Sequence, residues 1–429
     1  MAVSPHVISS VSCLVFGMTQ IGRNYINIEN ERVARKGKHV FANIVRNPQD
    51  VSWFIRHVSN VFHNPESKQV SLHFNNEFEI FPNVYTPIAS IVDYYVCKNK
   101  KVVIHGEREL FDRAHVFSPL LASPENIKSN FDPSKIVWKV TSSTEILNLL
   151  DYVIEFIKRK MICEKDVMFG VEWSLYEILD NVFQHSKAGV GYFMCRFYPR
   201  DKRISFCVAD AGIGILNSFS KSEKYNPKSP VDAITIAVKE GVTSSEEGQG
   251  YGLYGALEII SYNRGQLTVT SSGGAIYYNQ ETGKVKVFDK LPRFDRENGG
   301  TIVDIQINID TAIDMSVALK TSRVNLRLEE VEDDVGNLIV KVKEKSEGTG
   351  TRDSGKKLNV YIRNLLNESS GILVLDFEGV GVVSSSFADE VVGKLYVILG
   401  KKKFGNRIRF KNLCEPVRLI INKSAWLRS

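Results

Sequence analysis

The sequence predicts a multidomain α/β protein: a central α+β sandwich, with helices on one face of a mixed sheet, flanked by two small α/β units. Three observations predict it. Strand-like and helix-like segments alternate along the whole chain. The length of 429 residues corresponds to about three domains at roughly 150 residues each. Polar, turn-rich stretches at 123–135 and 344–357 punctuate it. A hydrophobic content of 43% with 24% charged residues excludes disordered, collagen-like and coiled-coil classes.

The N-terminal unit spans 1–130. It opens with a mildly apolar stretch whose first basic residue is Arg23, so it lacks the leading positive charge of a secretory signal. VSLHF at 70–74 alternates as a half-buried strand does, 87–96 reads as an apolar helix, and KVVIHG at 101–106 reads as a second strand. The central unit occupies 140–310. A linker helix is expected over 311–335, and EKSEGTGTRDSGKK at 344–357 reads as an exposed loop. The C-terminal unit, 336–429, repeats the strand–helix–strand pattern in GILVLDFEG, SFADEVVGKLYVIL and NRIRFKN. A shift of 303 positions aligns Phe74 with Phe377, Ile88 with Val391 and Val92 with Leu395, as a duplication or the general alternation of half-buried elements would.

No apolar run approaches the ~20 residues of a membrane-spanning helix. The six cysteines include no CxxC pair, so neither a zinc site nor a disulfide framework is expected. A cytoplasmic location follows as the expectation. The net charge of +6 is diluted by 49 acidic residues, and nucleic-acid binding is not indicated.

The chemistry concentrates between 169 and 301. FGVEWSLYEILDNVFQHS (169–186) has helical spacing, with Phe169, Trp173, Tyr176, Leu179 and Phe183 as the expected core face. Glu177, Asn181 and His185 then stack one turn apart. A carboxylate can take a proton from water, and a carboxamide oxygen can ligate Mg²⁺. On its own such a stripe is an ordinary solvated helix face. The strand RISFCVAD ends in Asp210, followed by Gly212 and Gly214, where a carboxylate could accept from an exocyclic amine and the glycines admit a ring; a tight turn also explains them. EGQGYGLYGALEII (247–260) sets Gly248, Gly250 and Gly252 before an apolar helix, as a phosphate cradle does.

In order and spacing these elements resemble the Bergerat-type ATP site of the GHKL family. The N box is Glu177-x-x-x-Asn181 with Asp180 in its usual place; the glycine boxes are Asp210-x-Gly212-x-Gly214 and Gly248-x-Gly250-x-Gly252; Gly300-Thr301 closes the set. The resemblance covers 140–310. It implies that Asp210, supported by Thr301, binds the adenine amino group and that Asn181 coordinates Mg²⁺. Glu177 would be the general base, and Gly250, Gly252, Leu253 and Tyr254 would offer backbone N–H groups to the phosphates. The lid would span 215–247, and His185 is expected to be a helix-end residue that need not touch ATP. No helix with an acceptor histidine precedes the N box, and no transducer domain with a phosphate-sensing lysine is evident, so hydrolysis would be slow.

The C-terminal LDF strand and SSSFADE helix start resemble STAS-like domains of anti-sigma-factor antagonists. That likeness makes Ser384, Ser385 and Ser386 candidate phosphoacceptors, although helix capping alone explains a serine here. At the matching N-terminal place the sequence reads Phe81-Pro82-Asn83, with no hydroxyl, so a STAS-like N-terminal unit would serve only binding or dimerisation. Three functions stay open: an ATPase driving a conformational change or partner binding, a serine kinase acting on a STAS-like domain, and a nucleotide-gated scaffold. A protein partner through the STAS-like units and a homodimer are both compatible with the family.

Overall fold

The computed structural model describes residues 32–43, 45, 48–74, 81–106, 108–129, 131–222, 224–239, 241, 252–289, 299–319, 331–333 and 335–426. They form a mixed α/β structure with three sheets.

In the N-terminal unit, strands β1 (Val33–Lys36), β2 (His39–Ala42), β3 (Gln69–Phe74) and β4 (Lys101–Gly106) lie side by side in sequence order, β1 antiparallel and the others parallel. Val70, Leu72 and Phe74 alternate onto the core face of β3, as the VSLHF pattern predicts. Helices α1 (Pro48–Phe62) and α2 (Pro82–Cys97) provide the crossovers. The second begins at Pro82 rather than Pro87. Pro82 sits in the first turn, where no N–H is needed, and Pro87 is tolerated inside the helix.

The central sheet has eight strands: β5 (Leu120–Leu121), β6 (Trp138–Val140), β7 (Gly191–Tyr198), β8 (Arg203–Asp210), β9 (Gln266–Ser271), β10 (Gly274–Asn279), β11 (Lys284–Phe288) and β12 (Thr301–Asn308), in the order β11-β10-β9-β12-β8-β7-β6-β5. All neighbours are antiparallel except β5 and β6. The sheet therefore begins ahead of the polar stretch at 123–135. One face packs on helices α3 (Ser143–Lys160), α4 (Val167–His185) and, further along the chain, α6 (Gly252–Asn263). Between these last two comes α5 (Pro230–Ala237).

The opposite face is covered as well. Tyr192, Met194, Cys207, Ala209 and Ile302 share one core with the N-terminal unit, and α2 lies between the two sheets. This position explains why Thr86 and Ser90, on the helix side away from Ile88 and Val92, are also buried. At one end of the seam Tyr192 and Lys139 both donate to Asp93 Oδ2, at 2.6 and 2.5 Å.

The C-terminal unit has a parallel sheet of β13 (Leu338–Lys341), β14 (Leu373–Asp376) and β15 (Ile408–Lys411). Its longer helices are α7 (Arg352–Glu368), α8 (Ser385–Ala388, a π-helical Asp389–Gly393 and Lys394–Arg407, broken by a kink at Gly400, φ 72°) and α9 (Glu415–Trp426). The expected loop at 344–357 is overturned in its second half, where α7 already runs. Thr351 caps that helix by accepting from the Ser354 N–H at 3.2 Å, and the polar composition there reflects helix start and solvated face. Gly355 is needed for close crossing: a β-carbon would lie 3.0 Å from the Phe387 carbonyl oxygen. Of the linker at 311–335, Met315–Ala318 is helical and 320–330 lies outside the described residues.

The two flanking units share their connectivity, three parallel strands in sequence order with two crossover helices. The shift of 303 positions also carries Pro82, the first residue of α2, onto Ser385, the first residue of α8.

Candidate functional site

Helix α4 buries an aliphatic stripe that includes Val167, Val171, Leu175, Ile178, Leu179 and Val182. Of the residues expected to form its core face, only Leu179 belongs to that stripe. Phe169, Trp173 and Phe183 pack at its edge, and Tyr176 is exposed. Bulky aromatics fit the rim of the helix layer, while branched aliphatics face the sheet. Trp173 lies over Gly255 of α6, where a β-carbon would come within 2.2 Å of the ring. Glycine at that place lets the two helices approach.

That approach brings the two halves of the candidate site together. A β-carbon on Gly252 would lie 2.8 Å from Asn181 Nδ2 and 3.3 Å from Glu177 Oε2. The first turn of α6 thus opens directly onto both side chains. Glu177 is half-buried, and burial, followed by the charge of Asp180, raises its pKa. Asp180 accepts from the Gln184 side-chain amide. Burial lowers the pKa of His185 at the helix end, against the opposing charge of Asp180.

The second group lies on β8 and β12, where Asp210 and Thr301 are register partners. Asp210 is buried; its Oδ1 accepts the Gly212 N–H at 2.7 Å. Burial pushes its carboxyl up to about 7, against the stabilising hydrogen bonds from Gly212 and Thr301. Gly212 has no room for a side chain, since a β-carbon would lie 2.2 Å from the Ser186 carbonyl oxygen. Gly214 adopts φ +77° and would place a β-carbon 2.4 Å from Ser272 Oγ, so only glycine fits.

Ser271, at the end of β9, is absent from the sequence-based set. Its hydroxyl donates to the Gly300 carbonyl at 2.8 Å, accepts the Ile215 N–H at 2.9 Å and lies 3.3 Å from Thr301 Oγ1. It ties the start of the expected lid to the closing Gly300-Thr301 pair. The polar SSGG turn was its only signal. Within the expected lid, α5 is seated on β10, with Ala233 and Ile234 fully buried. Gly248, Gly250 and the lid segment 242–247 lie outside the described residues.

At the C-terminal candidate site, Ser384 is the N-cap of α8: its hydroxyl accepts the Phe387 N–H at 3.0 Å and lies 3.1 Å from Ser386 Oγ. Ser385 is exposed at the first helical position.

Among the described residues no group of three or more His, Cys, Asp and Glu is arranged to hold a metal ion. No described helix is long and apolar enough to cross a membrane. Residues 354–418 match the family model of a STAS-like domain of unknown function (DUF4325). That span takes in most of α7, all of α8 and the start of α9. No curated protein matches the chain.

Proposed function

We propose that residues 140–310 form a GHKL-type ATP-binding module fused to the STAS-like domain, which binds ATP with Mg²⁺ and hydrolyses it slowly. The observation that carries this reading is the meeting of Gly252 with Asn181 and Glu177: a base, a carboxamide and a glycine-opened helix N-terminus converge on one place. The buried Asp210 carboxyl suits a ligand amine, since a donor there would favour its ionised form. Ser271 and Thr301 hold the neighbouring backbone.

In this reading the first-turn backbone of Gly252, Leu253 and Tyr254, at the positive end of the helix dipole, would orient the phosphates. Asn181 would supply one oxygen ligand to Mg²⁺, which would neutralise phosphate charge. The raised pKa of Glu177 strengthens it as a base toward an attacking water. ATP binding to the wild-type chain beside Asp210→Ala tests the reading. Micromolar binding lost in the variant supports it, and absence of binding to the wild type would end it.

One observation favours a second reading, serine phosphorylation. Ser385 leaves its hydroxyl exposed while Ser384 serves as the cap, so Ser385 is the acceptor that a kinase in trans would reach.

A further inference from the structure

The STAS-like domain is fastened to the chain at a particular place, the turn from which the N-box helix α4 starts. Asn364, buried near the end of α7, uses its whole amide there. Its Oδ1 accepts the Cys163 N–H at 2.9 Å, and its Nδ2 donates to the carbonyls of Lys158 at 3.0 Å and Met161 at 2.9 Å. Asn367 Nδ2 donates to the Cys163 carbonyl at 2.9 Å, and Glu368 Oε1 accepts the Asp166 N–H at 3.2 Å. These five bonds all run from α7 to backbone between the end of α3 and the start of α4.

The start of α4 depends on such outside support. Asp166 precedes the helix with φ 61°, a left-handed conformation, and its side chain does not cap the helix. A buried turn without these partners would leave backbone donors and acceptors unsatisfied. Ten residues further along the same helix stands Glu177, about 15 Å away at 1.5 Å per residue, with Asn181 one turn beyond. A packed helix moves as a rigid rod, so a shift at its start reaches both side chains.

We infer that Asn364, with Asn367 and Glu368, is a positioning residue for the candidate nucleotide site: the STAS-like domain sets the placement of Glu177 and Asn181 against Gly252. The inference rests on the ATP-binding reading for its consequence, and on the hydrogen bonds alone for the clamp itself. The five bonds end on the turn and not on β8 or β12, where Asp210 and Thr301 stand, so their effect falls first on Glu177 and Asn181. The same turn is joined to the residue after β12, where the Glu164 N–H donates to the Ile309 carbonyl at 2.8 Å. At its other end α7 packs on the start of α8, through Gly355 against Phe387 and through the Asn359 amide, which donates to the Glu390 carbonyl at 2.7 Å. One helix therefore touches the Ser384 cap region and the N-box helix, and a partner or modification at the first would act on the second.

The experiment measures ATP affinity with and without Mg²⁺ for the full chain, Asn364→Ala, Asn364→Asp and the milder Asn367→Ala. Asn364→Asp keeps the acceptor for Cys163 and turns the donor into a second oxygen facing two carbonyls. The affinity without Mg²⁺ should stay within about twofold of wild type, while the gain from adding Mg²⁺ falls at least about fivefold in both Asn364 variants and less in Asn367→Ala. An unchanged Mg²⁺ gain, or an equal loss with and without Mg²⁺, overturns the inference. Hydrogen exchange on nucleotide-free protein separates the two ideas. Faster exchange over 163–175 in Asn364→Ala supports the clamp even if the wild type binds no ATP, which would sink the proposed function alone. Unchanged exchange there overturns the clamp.

Discussion

Asn83, in the first turn of α2, donates its side-chain amide to the Asp304 carboxylate at 3.4 Å across the seam between the N-terminal unit and the central sheet. Asp304 is the register partner of Cys207 on β8, whose side chain belongs to the core shared with the N-terminal unit. Its other oxygen is buried without a partner. Burial holds its carboxyl at about 7, against hydrogen bonds from Asn83 and Gln306.

A carboxyl raised in the folded state binds its proton more tightly than in the unfolded chain. The stability it contributes is complete below about pH 4 and is lost as pH rises through about 7. Asp304→Asn should therefore gain on the wild type as pH rises, on the order of 1–3 kcal/mol more at pH 8 than at pH 5. Denaturant unfolding of both proteins at the two pH values checks this, and a larger gain at pH 5 contradicts it.

Gly252→Ala should fold normally yet bind ATP at least about tenfold more weakly, because its methyl group would occupy the space between Asn181 and Glu177. Titration with ATP and Mg²⁺, beside a circular dichroism spectrum, reads both outcomes. Wild-type affinity in this variant would remove Gly252 from the site.

Ser271→Ala should leave the Ile215 N–H without its acceptor and release the Gly300 carbonyl, at a cost of about 1–3 kcal/mol. Unlike a distant core defect, it should also weaken ATP binding, since Thr301 and Gly300 lose their tie. Unfolding and binding curves measured on the same sample decide it.

Ser384→Ala should lose about 1 kcal/mol through its cap, whereas Ser385→Ala should change stability by less than about 0.5 kcal/mol. If phosphorylation occurs, Ser385→Ala and not Ser384→Ala should abolish it. Denaturation curves and phosphopeptide mapping test the two halves separately.

Local patterns in the sequence carried part of this structure and missed what depends on distant contacts. The strand at 70–74 was legible because alternation is written into neighbouring residues, and that at 101–106 because a short run of β-branched residues favours a strand. The order of short motifs singles out Glu177, Asn181, Asp210 and Gly252 without a fold, and what the structure adds is that Gly252 lies against Asn181 and Glu177. The start of α7 inside a polar glycine-bearing stretch was not, since Gly355 answers to Phe387, far away in sequence. Nor was the burial of α2 between two sheets, because an apolar helix does not say how many partners it has. Ser271 and Asn364 gave no signal: each acts by hydrogen bonds to backbone that only the fold brings near. The core stripe of α4 was misjudged by weighting aromatic residues over Val171, Leu175 and Ile178.

The central claim is that Glu177 and Asn181 act together on ATP, and the most direct test follows the γ-phosphate of labelled ATP with Mg²⁺. Wild type should release the label slowly as free phosphate, with release abolished in Glu177→Ala and in Asn181→Ala while Glu177→Ala still binds ATP. Release that persists undiminished in both variants, or a wild type that neither binds nor turns over ATP, would contradict the account.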